Sequence, residues 1–133
     1  MFRLPIASDM RGSLSVGEFD RHLPFTPKRY FVVFDVPSKD VRGEHAHKTL
    51  HEFLVCVHGS LSIVLDDGKQ RCEVQLNSPT VGLHIPPRVW GVQYRFSRDA
   101  VLLVLASEPY DPDDYIRDYD EFLKVVLADR PST

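Results

Sequence analysis

The run Phe53-Leu54-Val55-Cys56-Val57-His58-Gly59-Ser60-Leu61-Ser62-Ile63-Val64-Leu65-Asp66-Asp67-Gly68 decides the fold class. Its five leading apolar residues are too few for a buried helix and end in a turn at His58-Gly59, so they read as a strand covered on both faces. A second short apolar run follows. Asp66-Asp67-Gly68 is then a strong hairpin signal, returning the chain through Arg71 to Leu76. Further on, Asn77-Ser78-Pro79 turns into Val81 to Ile85. Pro86-Pro87 leads to Trp90 to Phe96, and Ala100 to Ala106 is almost wholly aliphatic. Upstream, Ser13 to Phe19 alternates loosely after the turn Asp9-Met10-Arg11-Gly12, and Leu23 to Pro27 reads as a loop. Lys28 to Val36 reads as a dense strand too apolar to leave a wet face, closed by the turn Pro37 to Asp40. Eight to ten short strands with regular turn signals predict an all-β sandwich or barrel.

The period changes at the C-terminus. Asp111-Pro112-Asp113-Asp114 reads as a helix cap with proline and acids in the first turn. Tyr115, Ile116, Tyr119, Phe122, Leu123 and Val126 then recur at helical spacing. This predicts one amphipathic helix, or two short pieces, laid on the outside of the sheets with Tyr115 and Tyr119 packing it down. Residues 130–133 read as a frayed end.

With 133 residues the chain is expected to form one domain, 1–133, able to bury a core without staples. A net charge of −3 argues against a nucleic-acid partner. Two cysteines, Cys56 and Cys72, make no disulfide framework. The N-terminus lacks the apolar segment of a signal peptide, and no run is long enough to span a membrane. The expected location is therefore cytoplasmic.

Chemistry concentrates in Arg42-Gly43-Glu44-His45-Ala46-His47-Lys48, which runs on to His51-Glu52. It holds three of the six histidines, and four when followed on to Gly59. In a strand, residues two apart share a face, so His45 and His47 present two imidazoles side by side. Such a pair suits proton transfer or metal ligation. His45, His47 and either Glu52 or His51 would give three ligands plus water, enough for a catalytic metal site. His22, His58 and His84, standing alone, read as surface or satisfied residues.

The spacing from His45-x-His47 through Glu52 to Gly59 resembles the first motif of the cupin superfamily, small double-sheet β-barrels. A second motif is similar to Gly82 to Gly91. Together with Asp9 to Leu14, Pro27-Lys28-Arg29, Leu65 to Gly68 and Tyr115 to Tyr119, the set resembles the cupin-type nucleotide-sugar 3,4-ketoisomerases over roughly residues 4 to 127. It looks closest to the ketoisomerase modules of bifunctional isomerase/acetyltransferase proteins. The resemblance implies a jelly-roll β-barrel with a C-terminal α-helical segment. It also implies isomerisation of a dTDP-linked 4-keto-6-deoxyhexose to its 3-keto isomer without metal or other cofactor. The product would serve biosynthesis of a 3-amino-3,6-dideoxyhexose for bacterial surface glycans such as the lipopolysaccharide O-antigen, or for antibiotics.

By the same pattern His45 is the base and His47 its partner, while Arg11, Arg29 and Arg42, with Lys48, are expected to bind the substrate. Guanidinium forks suit diphosphate oxygens. The family carries a tyrosine where Phe31 stands and a histidine at Gly91, which makes Tyr30 a candidate substrate contact if a bulge turns it inward. Family members pair as homodimers through exchanged N-terminal strands, so the segment before Pro24 is expected to reach a partner subunit. Two alternatives stay open: a metal-dependent cupin enzyme, and a catalytically inactive nucleotide-sugar-binding module.

Overall fold

The structure, a computed structural model, describes residues 1–37 and 39–128. In chain order its strands are β1 (Phe2–Arg3), β2 (Ile6–Asp9), β3 (Gly12–Ser15), β4 (Arg29–Phe34), β5 (Arg42–His47), β6 (Glu52–His58), β7 (Leu61–Asp66), β8 (Arg71–Leu76), β9 (Val81–Ile85), β10 (Trp90–Tyr94) and β11 (Val101–Ala106). A 3-10 turn at Pro112–Asp114, the short β12 (Tyr115–Ile116) and the helix α1 (Tyr119–Ala128) follow.

Two five-stranded antiparallel sheets result, in the orders β1-β9-β6-β11-β4 and β12-β5-β10-β7-β8. β2 and β3 form a separate hairpin. Side chains from both sheets meet in one apolar interior: Val33, Leu54, Leu102 and Val104 from the first, Leu61, Ile63 and Leu76 from the second. The aliphatic content that marked β6 and β11 as buried is thus spent between the layers. β6 is buried on both faces over Glu52 to Cys56, because Leu4, Leu23 and Phe25 cover Phe53 and Val55 on the outside.

Two expectations are corrected. β4 does have an open face: Tyr30, Val32 and Phe34 point outward and are exposed, while Phe31 and Val33 alternate inward. Its composition is apolar, but β4 is the edge strand of its sheet, and none of the described residues is laid over that side. The C-terminal acids do cap a helical turn, but Tyr115 and Ile116 leave it as a short strand instead of opening the amphipathic helix. Asp111 caps the 3-10 turn by accepting from the Asp113 amide at 3.0 Å, and α1 begins only at Tyr119, after Asp118 accepts from the Asp120 amide. The helix that remains covers the outer face of the second sheet, burying Phe122 against Ala46, Trp90 and Ile116. Tyr119 ties it down, its hydroxyl donating at 2.5 Å to the buried Asp66 carboxylate, which also accepts from Arg71 Nε at 2.8 Å. The expected fraying of residues 130–133 lies outside the described residues. Among the described residues no helix is long and apolar enough to cross a membrane.

Candidate active site

β5 carries the site because its two faces serve different neighbours. Ala46 points outward into the core beneath α1, and His45 and His47 point inward. The two imidazoles meet edge to face, with centroids 4.8 Å apart. Strict alternation would send Arg42 outward with Ala46. It does not, because the β5–β10 ladder pairs His45 with Gly91 and Arg42 with Gln93, fitting an extra residue into β5. Gly43 absorbs that bulge at φ +68, in the left-handed region glycine tolerates. Arg42 is thereby turned to the same cavity as His45.

That cavity is about 480 Å³, within the usual range for a small-molecule site. Phe31, Val33 and Val41 form its apolar side, Arg42 and Arg117 bring positive charge, and His45, Glu52 and Tyr115 bring titratable groups. Gly91 lies directly across from His45. A Cβ there would meet only Ile85 Cδ1, at an ordinary 3.8 Å, so the position has room for a side chain. Burial, then His47, pushes the His45 imidazole down to about 4 against the partial opposition of Glu52. His45 is therefore unprotonated at neutral pH and can accept a proton.

His47 sits behind it, 4% exposed. Its Nε2 faces Glu52 Oε1 at 3.6 Å and its Nδ1 faces Asp114 Oδ2 at 3.5 Å. Neither ring nitrogen makes a hydrogen bond, so the two carboxylates act on the ring as close charges. Asp114 is held by the chain it follows: Oδ1 accepts from the Thr49 amide and hydroxyl at 3.0 and 2.8 Å, and Oδ2 from the Leu50 amide at 3.1 Å. The next residue, Tyr115, pairs with His47 in the β12–β5 ladder. Its ring lies 4.9 Å from His45 and 4.3 Å from His47. Sequence reasoning gave Asp114 to a helix cap and Tyr115 to helix packing. The signal that could have found them is the proline-started turn itself, which breaks the helical period between Asp114 and Tyr119.

The other expected residues fall in different places. Arg29 stacks over Phe31 and Tyr110 beside the cavity and donates to the Glu108 carbonyl at 3.0 Å. Tyr30 points to the opposite face of β4, 69% exposed. Lys48 is exposed just past β5. Arg11 lies at the tip of the β2–β3 hairpin, paired with Asp9 at 2.7 Å and open to solvent. It does not line this chain's own cavity. Of the two candidates for a third metal ligand, Glu52 is the one that joins the histidines: ligand atoms of His45, His47 and Glu52 all lie within 4.8 Å of one another, a set able to hold a divalent cation. His51 turns away and shares a 2.9 Å contact with His84 instead.

Comparison with known proteins agrees with this geometry. Residues 1–127 match the family described as "FdtA: WxcM-like, C-terminal". A TDP-4-oxo-6-deoxy-alpha-D-glucose-3,4-oxoisomerase from Aneurinibacillus thermoaerophilus is 48% identical over 118 residues, covering 89% of this chain and 85% of that protein. The 3,4-ketoisomerase QdtA from Thermoanaerobacterium thermosaccharolyticum, solved as a histidine-to-asparagine mutant with TDP-4-keto-6-deoxyglucose, superposes with a TM-score of 0.93 at 38% identity, covering 96% of this chain and 93% of that one. The WlaRB TDP-quinovose 3,4-ketoisomerase from Campylobacter jejuni gives a TM-score of 0.89 at 44% identity, covering 92% and 95%. With its paired histidines on the wall of a double-sheet roll, the chain belongs to the FdtA-type family of cupin-fold sugar 3,4-ketoisomerases.

Proposed function

We propose that this protein moves the keto group of a TDP-linked 4-keto-6-deoxyhexose from C4 to C3 through an enediol, for biosynthesis of a 3-amino-3,6-dideoxyhexose. The observation that carries the reading is an unprotonated His45 on the wall of a cavity flanked by arginines. The C4 carbonyl makes the C3 hydrogen acidic. His45 removes that hydrogen and later returns it to C4, general base and then general acid in one cycle. His47, pressed against its ring and facing two carboxylates, holds His45 in place and shapes the charge around it.

Arg42 and Arg29 anchor the diphosphate, in keeping with guanidinium forks on phosphate oxygens. Lys48 is exposed beside the site and available to the same anions. Arg11 joins them from a second subunit. This rests on a homodimer in which N-terminal strands are exchanged, and two features favour it. The outer side of β4 exposes Tyr30, Val32 and Phe34, and the β2–β3 hairpin exposes Ile6, Met10 and Leu14. Apolar side chains on an open sheet edge invite a partner.

The test is incubation with TDP-4-keto-6-deoxyglucose in deuterated water, followed by NMR. The expected result is a 3-keto product carrying deuterium at C4, with deuterium entering C3 of the recovered substrate by the reverse reaction, at a rate that excess chelator leaves unchanged. Conversion that stops with chelator and returns with a divalent cation would move the chemistry onto the His45, His47 and Glu52 set. Tight TDP binding without exchange at the sugar would leave a binding module only.

A further inference from the structure

Among the described residues, Gln93 is the one polar side chain on the wall of the His45 cavity that does not titrate. Its place follows from the same bulge that turns Arg42. The β10–β5 ladder pairs Gly91 with His45 and Gln93 with Arg42. Gly43 lies between those two partners on β5, and a Cβ there would stand 3.4 Å from both Cδ and Nε2 of Gln93. The carboxamide is thus laid over Gly43, on the stretch of wall between the guanidinium and the imidazole. Gln93 is half-buried, and among the described residues its amide has no hydrogen-bond partner. An amide offers two donors and an acceptor, and holding it away from water is unfavourable until a ligand satisfies it.

Taking the ketoisomerase reading as given, the substrate selects the ligand atom. A TDP-linked 4-keto-6-deoxyhexose has two free hydroxyls on its ring, at C2 and C3. C1 carries the diphosphate, C4 is the carbonyl and C6 is a methyl. The C3 hydroxyl becomes the new carbonyl and belongs with the groups that move protons. The C2 hydroxyl takes no part in the reaction. C2 also lies between C3, which this reading sets at His45, and C1, whose diphosphate it sets at Arg42. That is the order of His45, Gly43 with the amide above it, and Arg42 along β5.

We infer that Gln93, laid over Gly43 between His45 and Arg42, is a specificity residue that hydrogen-bonds the C2 hydroxyl of the hexose. An amide suits this position because it orients a hydroxyl beside the base without adding a charge next to it. No bond of the substrate is made or broken there. A sugar without that hydroxyl leaves the amide unpaired, and is disfavoured with no steric block.

Calorimetry with three ligands tests this: TDP, TDP-4-keto-6-deoxyglucose and its 2-deoxy counterpart, TDP-4-keto-2,6-dideoxyglucose. His45→Asn protein is used, so that neither sugar is converted during the titration. A second protein adds Gln93→Met, which keeps the side chain's length and removes the amide. Removing the amide or the hydroxyl is expected to weaken binding of the sugar about 5- to 10-fold. Removing both is expected to weaken it no more than either alone. TDP, which has no hexose, is expected to bind both proteins alike. Equal weakening of the two sugars by Gln93→Met overturns the assignment, as does weakening of TDP or no effect on any ligand. Should the thermal midpoint show that Gln93→Met does not fold, the hydroxyl arm still decides. His45→Asn protein that binds the 2-deoxy sugar as tightly as its parent overturns the assignment. Wild-type protein that does not convert TDP-4-keto-6-deoxyglucose overturns the ketoisomerase reading itself, an outcome of a separate assay.

Discussion

At His45, burial and the nearby His47 lower the imidazole to about 4, well under the 6.5 of a free histidine. Two consequences follow for pH. The free-enzyme base loses its lone pair only near that value, so the acid limb of kcat/KM is expected around pH 4 and not around 6.5, measurable wherever the protein stays folded. Stability carries the same sign. The unfolded chain binds a proton at this site below 6.5 while the folded chain resists it until about 4. Stability from this group is therefore complete above 6.5 and lost as pH falls toward 4, a change on the order of 3 kcal/mol. Urea midpoints at pH 7 and pH 5 should draw apart in the wild type and less so in His45→Gln. The histidine pair was legible because an i, i+2 spacing fixes a shared face in any strand. Asp114 and Tyr115 were harder to read: the proline-started turn marks a break in the helical period, but what brings them to the site is contact with residues more than 60 positions earlier in the chain.

Among the elements, the bulge in β5 does the most for function. Alternation alone predicts Arg42 on the wrong side, and only a positive-φ glycine brings it to the cavity. Gly43→Ala should therefore cost about 1–2 kcal/mol, the price of a left-handed non-glycine residue. It should also weaken TDP binding more than it lowers the melting point would suggest, because Arg42 moves with the flattened ladder. Calorimetry of folding and of TDP binding on one preparation separates the two effects. The hairpin turn at Asp66 to Gly68 was readable from its residue types, and the structure shows why they are fixed: Asp66 Oδ1 accepts from the Gly68 amide at 2.7 Å. The open face of β4 was not readable, because an apolar alternation has the same spelling whether the second face meets this chain or another one.

For the whole molecule, the uncovered side of β4 and the projecting hairpin point the same way. Sedimentation is expected to give twice the chain mass, and Val32→Asp, which puts a charge in the middle of that side, should shift it toward the monomer. Exchange of hairpins makes a sharper expectation. Arg11→Ala and His45→Asn proteins, each impaired alone, should regain up to about a quarter of wild-type activity when unfolded together and refolded as a mixture, since some mixed pairs then hold one intact site. Recovery that stays at the sum of the separate proteins would place Arg11 outside the active site altogether. Asp114 carries a different lesson for anyone who wants a hardier version of this catalyst. One carboxylate both fastens the loop at Thr49 and Leu50 and stands against the ring of His47, so on the proposed mechanism robustness and turnover draw on the same two oxygen atoms. Stabilising substitutions must be sought elsewhere on the roll, because at this position neither property can be tuned without spoiling the other.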